Sequence, residues 1–156
     1  MQIQLINVAQ KMPAWVDMGC ADYAKRLPRE LGLKELTLPL AKSASRQSAE
    51  QRREREADQI LARLPASSHS IALDARGADW TSPQWSAQLE RWMHEYSQVN
   101  LVIGGPDGLA PRCLDACQQR VSLGRMTMPH ALVKLVLLEQ LYRAWSILQG
   151  HPYHRE

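Results

Sequence analysis

Cysteine is scarce in this chain of 156 residues, which has three, an odd number that cannot be fully paired. Disulfide frameworks of secreted domains carry dense and even sets of cysteine, so we expect free thiols and a reducing, cytoplasmic compartment. Cys113 and Cys117 lie four positions apart in a helical stretch and would share one face. No further ligands are spaced for a metal site. The pattern predicts buried or half-buried thiols and no metal.

The chain also lacks a long hydrophobic run. No stretch approaches the roughly 18 apolar residues that span a bilayer, and the densest one lies around residues 135–138. The first eight residues alternate like a strand and contain neither a basic leader nor a long apolar segment. With 45% apolar and 22% charged residues, the sequence predicts one soluble domain over 1–156 with no membrane partner.

Phosphate-binding motifs are missing as well. The loop Gly104-Gly105-Pro106-Asp107-Gly108 has the spacing G-G-x-x-G, whereas dinucleotide-binding folds use G-x-G-x-x-G and P-loops end in Gly-Lys-Ser/Thr. These absences disfavour a nucleotide- or dinucleotide-binding enzyme. Two interpretations of the loop stay open. It is either a tight strand-to-helix turn in which Asp107 caps the next helix, or a place where backbone approaches a ligand closely.

Net charge is small, at +3, but it is unevenly placed. Residues 1–109 contain 13 basic and 13 acidic side chains, whereas residues 110–156 contain 6 and 3. The last part also holds three of the five histidines, which are His130, His151 and His154. We therefore expect an anionic partner to meet the carboxyl-terminal third.

Short β-like runs alternate with longer helical runs, which predicts an α/β fold without repeats. Strands are predicted at 1–9, 33–40, 70–74, 99–103 and 121–123. Helices are predicted at 13–27, 43–64 and 130–148. Two further helices are predicted, one that begins at 82 and one that follows the glycine loop and ends at about 119. A loop containing Gly77 is expected after the third strand, and Ser82 is expected to cap the helix that follows. The mixed charges of 43–64 favour a solvated helix that packs on the protein at its end, through Ile60, Leu61 and Leu64, with a basic strip facing RNA as the alternative.

Ligands of open α/β sheets bind beyond the carboxyl ends of strands, so the loops after Leu73, Ile103 and Leu123 are the candidate binding sites. A second candidate is the chain end, where Tyr153, His154 and Arg155 stand together. Tyrosine can stack on a nucleobase, arginine can bind its carbonyl oxygens or a phosphate, and histidine can exchange a proton near neutral pH. From residue types alone, a frayed terminus is the competing interpretation.

Four segments in order carry a resemblance to a known family. They are IGGPDGL at 103–109, MTMPH at 126–130, EQLYRAW at 139–145 and PYHRE at 152–156. In these segments, and over its whole length, the chain closely resembles the ribosomal RNA large-subunit methyltransferase H (RlmH) family of the SPOUT class. The resemblance implies an α/β knot, in which the carboxyl-terminal part threads through a loop as a deep trefoil knot, and a homodimer.

The resemblance also implies S-adenosylmethionine as cofactor, and it places the pocket on the three loops already singled out. The residues that it assigns to the cofactor are Leu73, Gly104, Gly105, Leu123, Gly124, Arg125, Met126, Thr127 and Met128. Gly124 departs from the family pattern, which has serine there. The absent phosphate motifs agree with this cofactor, because it contains no phosphate.

The substrate implied by the resemblance is a pseudouridine of 23S rRNA, methylated at N3. Because the chain is small and its charge of +3 is modest, we expect it to recognise the assembled ribosome. Arg155 or Arg143 would lower the pKa of the imide nitrogen, His154 would accept its proton and Tyr153 would stack on the base. The alternatives are a SPOUT methyltransferase acting on tRNA or on another rRNA nucleotide, and a non-catalytic RNA-binding or ribosome-assembly factor. The last of these predicts no cofactor binding.

Overall fold

The computed structural model describes residues 1–41 and 48–155. Its centre is a parallel sheet of five strands in the order β2-β1-β4-β3-β5. The strands are β1 (Gln2–Val8), β2 (Lys34–Leu38), β3 (His69–Asp79), β4 (Gln98–Ile103) and β5 (Gln119–Ser122). The helices are α1 (Ala14–Arg26), α2 (Ala49–Leu61), α3 (Ser82–Glu95), α4 (Pro111–Ala116) and α5 (His130–Leu148). The predicted α/β class is confirmed.

Helices cover both faces of the sheet, as an all-parallel sheet requires. On one face, α1, α3 and α5 pack on a cluster that includes Trp85, Trp92 and Leu137, each at most 2% exposed. On the other face, α2 and α4 pack on a smaller cluster that includes Ile60 and Cys113. Trp85 and Trp92, both on α3, are therefore core residues.

Strand β3 is longer than the sequence predicts. It continues through Asp79, and after a register shift beyond Leu73 it pairs Ala78 with Val121. The predicted Gly77 loop is therefore wrong, because Gly77 lies inside the strand. A Cβ at Gly77 would come within 2.6 Å of the Val121 nitrogen, so only glycine permits this approach of the two backbones.

Two predicted helix caps are also wrong. Helix α3 is capped by Thr81 rather than by Ser82: the Thr81 hydroxyl accepts from the Gln84 nitrogen, and the Gln84 side chain accepts in return from the Thr81 nitrogen. Asp107 does not cap the next helix, because α4 begins after Ala110 and ends at Ala116, short of the predicted residue 119. The side chain of Asp107 instead turns to α2.

Helix α2 departs most from its predicted character. Ser48 caps it through a reciprocal pair with Gln51, while residues 43–47 of the predicted helix lie outside the described residues. The expectation of a solvated helix is wrong for one face, because Glu56 is only 4% exposed and Ala57 is fully buried. A carboxylate in the middle of a charged sequence is thus inside the protein.

The thiols agree with their prediction: Cys20 and Cys113 are buried, and Cys117 is half-buried. Desolvation by burial raises the pKa of both Cys113 and Cys117 to about 11. In the described ranges, no three His, Cys, Asp or Glu side chains are grouped as metal ligands would be. No helix there is long and apolar enough to cross a membrane.

Candidate functional site

The carboxyl ends of the central strands bring the candidate loops together. In the sheet, Leu73 of β3 pairs with Ile103 of β4 on one side and with Val121 of β5 on the other. The segments that follow these three positions therefore start next to one another at a single edge, although the segment after Leu73 continues as strand β3 and not as a loop. This adjacency is what the sequence argument requires of a common binding site.

A cavity of about 270 Å³ opens at this edge between β3 and β5, and we call it the β3–β5 cavity. Its walls are mostly apolar. It is lined by Leu73, Asp74, Ala75, Val121, Ser122, Leu123, Gly124, Arg125, Met126, Thr127, Met128 and Val133. Leu73 and the whole predicted segment 123–128 thus lie around one concave surface, and Met126 at its rim is 83% exposed.

The backbone explains the glycine at position 124. Gly124 has a φ of +127°, a conformation that side chains disfavour. Its nitrogen donates to the Ser122 hydroxyl at 3.1 Å, and that hydroxyl donates to the Gly124 carbonyl oxygen at 2.9 Å. Ser122 therefore supports the turn that leads into the cavity wall.

Gly104 and Gly105 lie beside this cavity but are not among the residues that line it. Both are buried, and the loop closes through a hydrogen bond from the Gly108 nitrogen to the Gly105 carbonyl oxygen at 2.9 Å. A Cβ at Gly105 would lie 3.0 Å from both Glu56 Oε1 and Leu40 Cδ2. The glycines are thus required by protein neighbours, and their contacts with a cofactor stay a prediction.

Side chains of α2 hold the glycine loop. Arg52 donates to both carboxylate oxygens of Asp107, from Nε at 2.7 Å and from a terminal nitrogen at 3.1 Å, and Arg53 donates to the Asp107 carbonyl oxygen at 3.4 Å. The hydrogen bond from Arg52 lowers the pKa of the Asp107 carboxyl. Sequence analysis missed this ion pair because its partners lie 55 positions apart.

A second and larger cavity, of about 740 Å³, lies on the α2 side of the same edge, and we call it the α2 cavity. It is lined by Ala9, Gln10, Lys11, Pro39, Leu40, Ala41, Arg52, Glu56, Pro106 and Asp107. Glu56 Oε2 accepts from the Ala41 nitrogen at 3.1 Å, while Oε1 has no hydrogen-bond partner among the described residues. Burial raises the pKa of the Glu56 carboxyl. No sequence signal separates Glu56 from its charged neighbours on α2.

The terminal segment folds back onto α5. Tyr153 donates to Glu139 Oε1 at 3.1 Å, and its hydroxyl lies 3.4 Å from that of Tyr23. Tyr142 meets the Tyr153 ring edge-on at 4.6 Å, and the Arg143 guanidinium lies 5.2 Å from its centre. Burial raises the pKa of the Tyr153 hydroxyl. The interpretation of this terminus as a frayed end is therefore wrong for Tyr153.

Two of the four predicted catalytic residues, Tyr153 and Arg143, are thus in contact. Both also donate to Glu139 Oε1, Arg143 at 2.6 Å. His154 is half-buried, and its Nδ1 has no partner within the described chain, while Arg155 is exposed with a φ of +38°. Within one described chain, none of the four lines the β3–β5 cavity.

Comparison with known proteins identifies the family. The family model described as "Predicted SPOUT methyltransferase" matches residues 1–154. The "Ribosomal RNA large subunit methyltransferase H" of Hahella chejuensis is 44% identical over all of both chains. A Legionella pneumophila structure, described as a methyltransferase with its bound cofactor SAM, matches 92% of this chain and 66% of its own at 14% identity and a TM-score of 0.50. That likeness concerns the fold alone, and this chain spans about two thirds of that one. By the family match and the full-length relative, the chain belongs to the RlmH family of SPOUT methyltransferases.

Proposed function

We propose that this protein transfers a methyl group from S-adenosylmethionine to 23S rRNA, at N3 of a pseudouridine. The observation that carries this proposal is the 44% identity, over the full length of both chains, to the "Ribosomal RNA large subunit methyltransferase H" of Hahella chejuensis. The segments behind the resemblance lie at the carboxyl edge of the sheet and in the terminal segment docked on α5. This argues against the assembly-factor alternative.

The β3–β5 cavity is the proposed cofactor site. Its leucine and methionine side chains suit an adenine ring and a methionine chain, and the polar groups of Ser122 and Thr127 lie among them. The described lining contains one arginine and no cluster of cations, which fits a ligand without phosphate. The cofactor supplies a methyl group on a sulfonium sulfur, and the protein contributes chiefly alignment. We place Leu73 and 123–128 in contact with it, with Gly104 and Gly105 at the adjoining wall.

Acceptor activation is assigned to the terminal segment. An imide nitrogen attacks far better as an anion, so a nearby cation that lowers its pKa speeds transfer. Arg143, held by Glu139, and Arg155 are the cations proposed for this role. His154 is proposed to accept the proton. Stacking of Tyr153 on the base is compatible with the contact to Arg143 only on the ring face that Arg143 leaves open.

A homodimer with a trefoil knot completes the proposal. Trp15 and Met18 of α1 are 58% and 73% exposed, and residues 131–136 of α5 stay half-buried although several are apolar. Such a surface favours a second copy of the chain. The terminal segment does not line the β3–β5 cavity of its own chain within the described residues. We therefore propose that the terminal segment of a second copy completes each active site. We propose the knot, the single domain over 1–156 and the cytoplasmic location on the same ground, which is membership of the RlmH family.

Methyl transfer to ribosomes tests this function directly. Ribosomes from a strain that lacks the gene are incubated with labelled S-adenosylmethionine, and the product is mapped by nuclease digestion and mass analysis. We expect one modified pseudouridine in 23S rRNA. Label in tRNA, or at another rRNA nucleotide, would favour the alternative SPOUT substrate, and the absence of both label and cofactor binding would favour a non-catalytic factor. Naked rRNA, tested in parallel, should be a poorer substrate than the assembled ribosome.

A further inference from the structure

The α2 cavity occupies a position where ligands bind in parallel α/β sheets. Strands β1 and β4 are neighbours, but the chain leaves them towards opposite faces: α1 packs with the larger core cluster, and α4 packs with the smaller one. A crevice opens between such strands at their carboxyl ends. Ala9, Lys11 and Pro106, from the segments after β1 and β4, line the α2 cavity.

The glycine loop forms the boundary between the α2 cavity and the β3–β5 cavity. Ile103, which precedes the loop, pairs with Leu73 on one side and with Asn7 on the other. A second link is His130, whose Nε2 donates to the Val8 carbonyl oxygen at 2.9 Å. His130 follows Met128 of one cavity by two positions, and Val8 immediately precedes Ala9 of the other. At Gly104 and Gly105 this boundary consists of backbone alone.

Glu56 gives the α2 cavity its chemical character. Only 4% of the Glu56 surface is exposed. Even so, only one of its carboxylate oxygens has a hydrogen-bond partner in the part of the chain that the structure describes. A buried carboxylate accepts up to about four hydrogen bonds, and leaving them unmade is costly. Because Glu56 also lines the α2 cavity, its incompletely hydrogen-bonded carboxyl group is a candidate contact for a ligand that donates hydrogen bonds.

We propose that the α2 cavity receives the target base of the RNA, and that Glu56 accepts a hydrogen bond from the N1–H group of pseudouridine. This inference rests on the proposed function. Pseudouridine has a free N1–H because its sugar is attached at C5, whereas in uridine N1 carries the sugar and has no hydrogen. Glu56 is therefore the residue that distinguishes the two nucleosides, and N3 is left free to be methylated.

A base fits this cavity better than a phosphate. The carboxylate of Glu56 repels an anion but accepts from an imino group. Enzymes that modify a base commonly extrude it into a pocket and recognise its hydrogen-bonding edge. Lys11, which is exposed and lines the cavity, is the cation proposed to meet the carbonyl oxygens of the base or its backbone.

The test is Glu56→Gln, which keeps the size of the side chain and the acceptor for Ala41. Ribosomes with pseudouridine at the target are compared with ribosomes in which that position is uridine. For the wild type we expect a preference for pseudouridine. For Glu56→Gln we expect kcat/KM on the pseudouridine ribosomes to fall roughly tenfold or more, and the preference to shrink towards one. The Kd for S-adenosylmethionine, measured by calorimetry, should stay within about twofold of wild type.

Glu54→Gln is the matched control, because Glu54 lies on the same helix, pairs with Arg112 and does not line the cavity. It should keep the wild-type preference. An unchanged preference in Glu56→Gln would overturn the proposal, and so would a weakened cofactor affinity that accounts for the whole loss of rate. Wild-type protein that methylates neither kind of ribosome would instead overturn the proposed function.

A second variant keeps the proposal testable if Glu56→Gln fails to fold. Lys11→Met changes only an exposed side chain at the mouth of the α2 cavity. We expect KM for ribosomes to rise roughly threefold to tenfold, with the cofactor Kd unchanged. Lys34→Met is its control, since Lys34 begins β2 at the opposite edge of the sheet. Equal KM values for the two variants would contradict the location of the acceptor.

Discussion

Tyr153 of the terminal segment donates a hydrogen bond to Glu139 of α5, at 3.1 Å between the hydroxyl and Oε1. The same oxygen accepts from Arg143. One carboxylate therefore fixes the positions of two residues that the sequence assigns to catalysis, and it connects the terminal segment to the long helix α5.

Removal of residues 153–156 should separate catalysis from cofactor binding. The segment does not line the β3–β5 cavity of its own described chain, so we expect methylation of ribosomes to be lost, whereas Glu139, Arg143 and the fold are retained. Thermal unfolding and the molecular mass in solution serve as controls for the truncated protein. Methylation at the wild-type rate would show that Tyr153, His154 and Arg155 have no catalytic role. Calorimetry should show a nearly unchanged affinity for S-adenosylmethionine, and a loss of cofactor binding would contradict this separation.

Arg52→Ala should weaken cofactor binding from outside the cofactor cavity. The substitution removes the bidentate contact that holds Asp107, and with it the position of the glycine loop. We expect the Kd for S-adenosylmethionine to rise roughly threefold to tenfold. Arg112→Ala is the matched control, because Arg112 connects α4 to Glu54 and Asp58 of α2 without contacting the loop. An equal rise in both variants would show that α2 acts only through general stability.

Gly105→Val should displace the same loop directly. Its Cβ would lie 3.0 Å from Leu40 Cδ2 and from Glu56 Oε1, a distance that forces the loop or its neighbours to move. We expect cofactor affinity to fall by roughly tenfold or more, measured by calorimetry on folded protein. Gly150→Asn provides the comparison, since no atom lies within 4 Å of a Cβ there and asparagine tolerates its positive φ. Unchanged affinity in Gly105→Val would remove the loop from the cofactor site.

Glu56→Gln should stabilise the protein at neutral pH while reducing its activity. Burial raises the pKa of Glu56 above the ordinary 4.5, so the folded state binds this proton more tightly than the unfolded state does. The stability due to this group is therefore fully present below the unfolded pKa and is lost as the pH rises through the folded pKa. Glutamine has no such loss. We expect Tm to rise by roughly 2–4 °C at pH 7 relative to wild type, and by less at pH 4.

Glu54→Gln again serves as the control for the pH series, because its carboxylate is exposed and paired with Arg112. It should show no gain of stability on going from pH 4 to pH 7. A Tm difference between Glu56→Gln and wild type that is the same at both pH values would contradict the raised pKa of the buried Glu56 carboxyl.

The sequence predicts the framework of this protein well because its signals are local. The alternation of strands and helices and the bounds of α5 at 130–148 follow from periodicity, and the rule that ligands bind beyond strand ends directs attention to Leu73 and to 123–128, which line one cavity. What it cannot predict depends on distant partners. Strand β3 continues past Leu73 because β5 offers it a second register, and Gly77 resembles a loop residue until Val121 is placed beside it.

The same limit applies to the site. Asp107 looks like a helix cap because only its neighbours in sequence are visible, and Arg52 is one of several arginines in a charged stretch. Their contact exists only after α2 has packed beside the glycine loop. Glu56 is hidden in the same way, since its burial results from Leu40, Ala41 and Gly105 converging on one side chain.

The two thiols on the α4 side have a practical consequence. With pKa values of about 11, Cys113 and Cys117 are almost wholly protonated near neutral pH, and Cys113 is fully buried. A thiol reagent can therefore modify Cys113 only when α4 opens away from α2. The rate of that modification measures how often the support of the glycine loop opens, and a bound cofactor should slow it. The protein thus contains its own reporter of motion behind the proposed cofactor site.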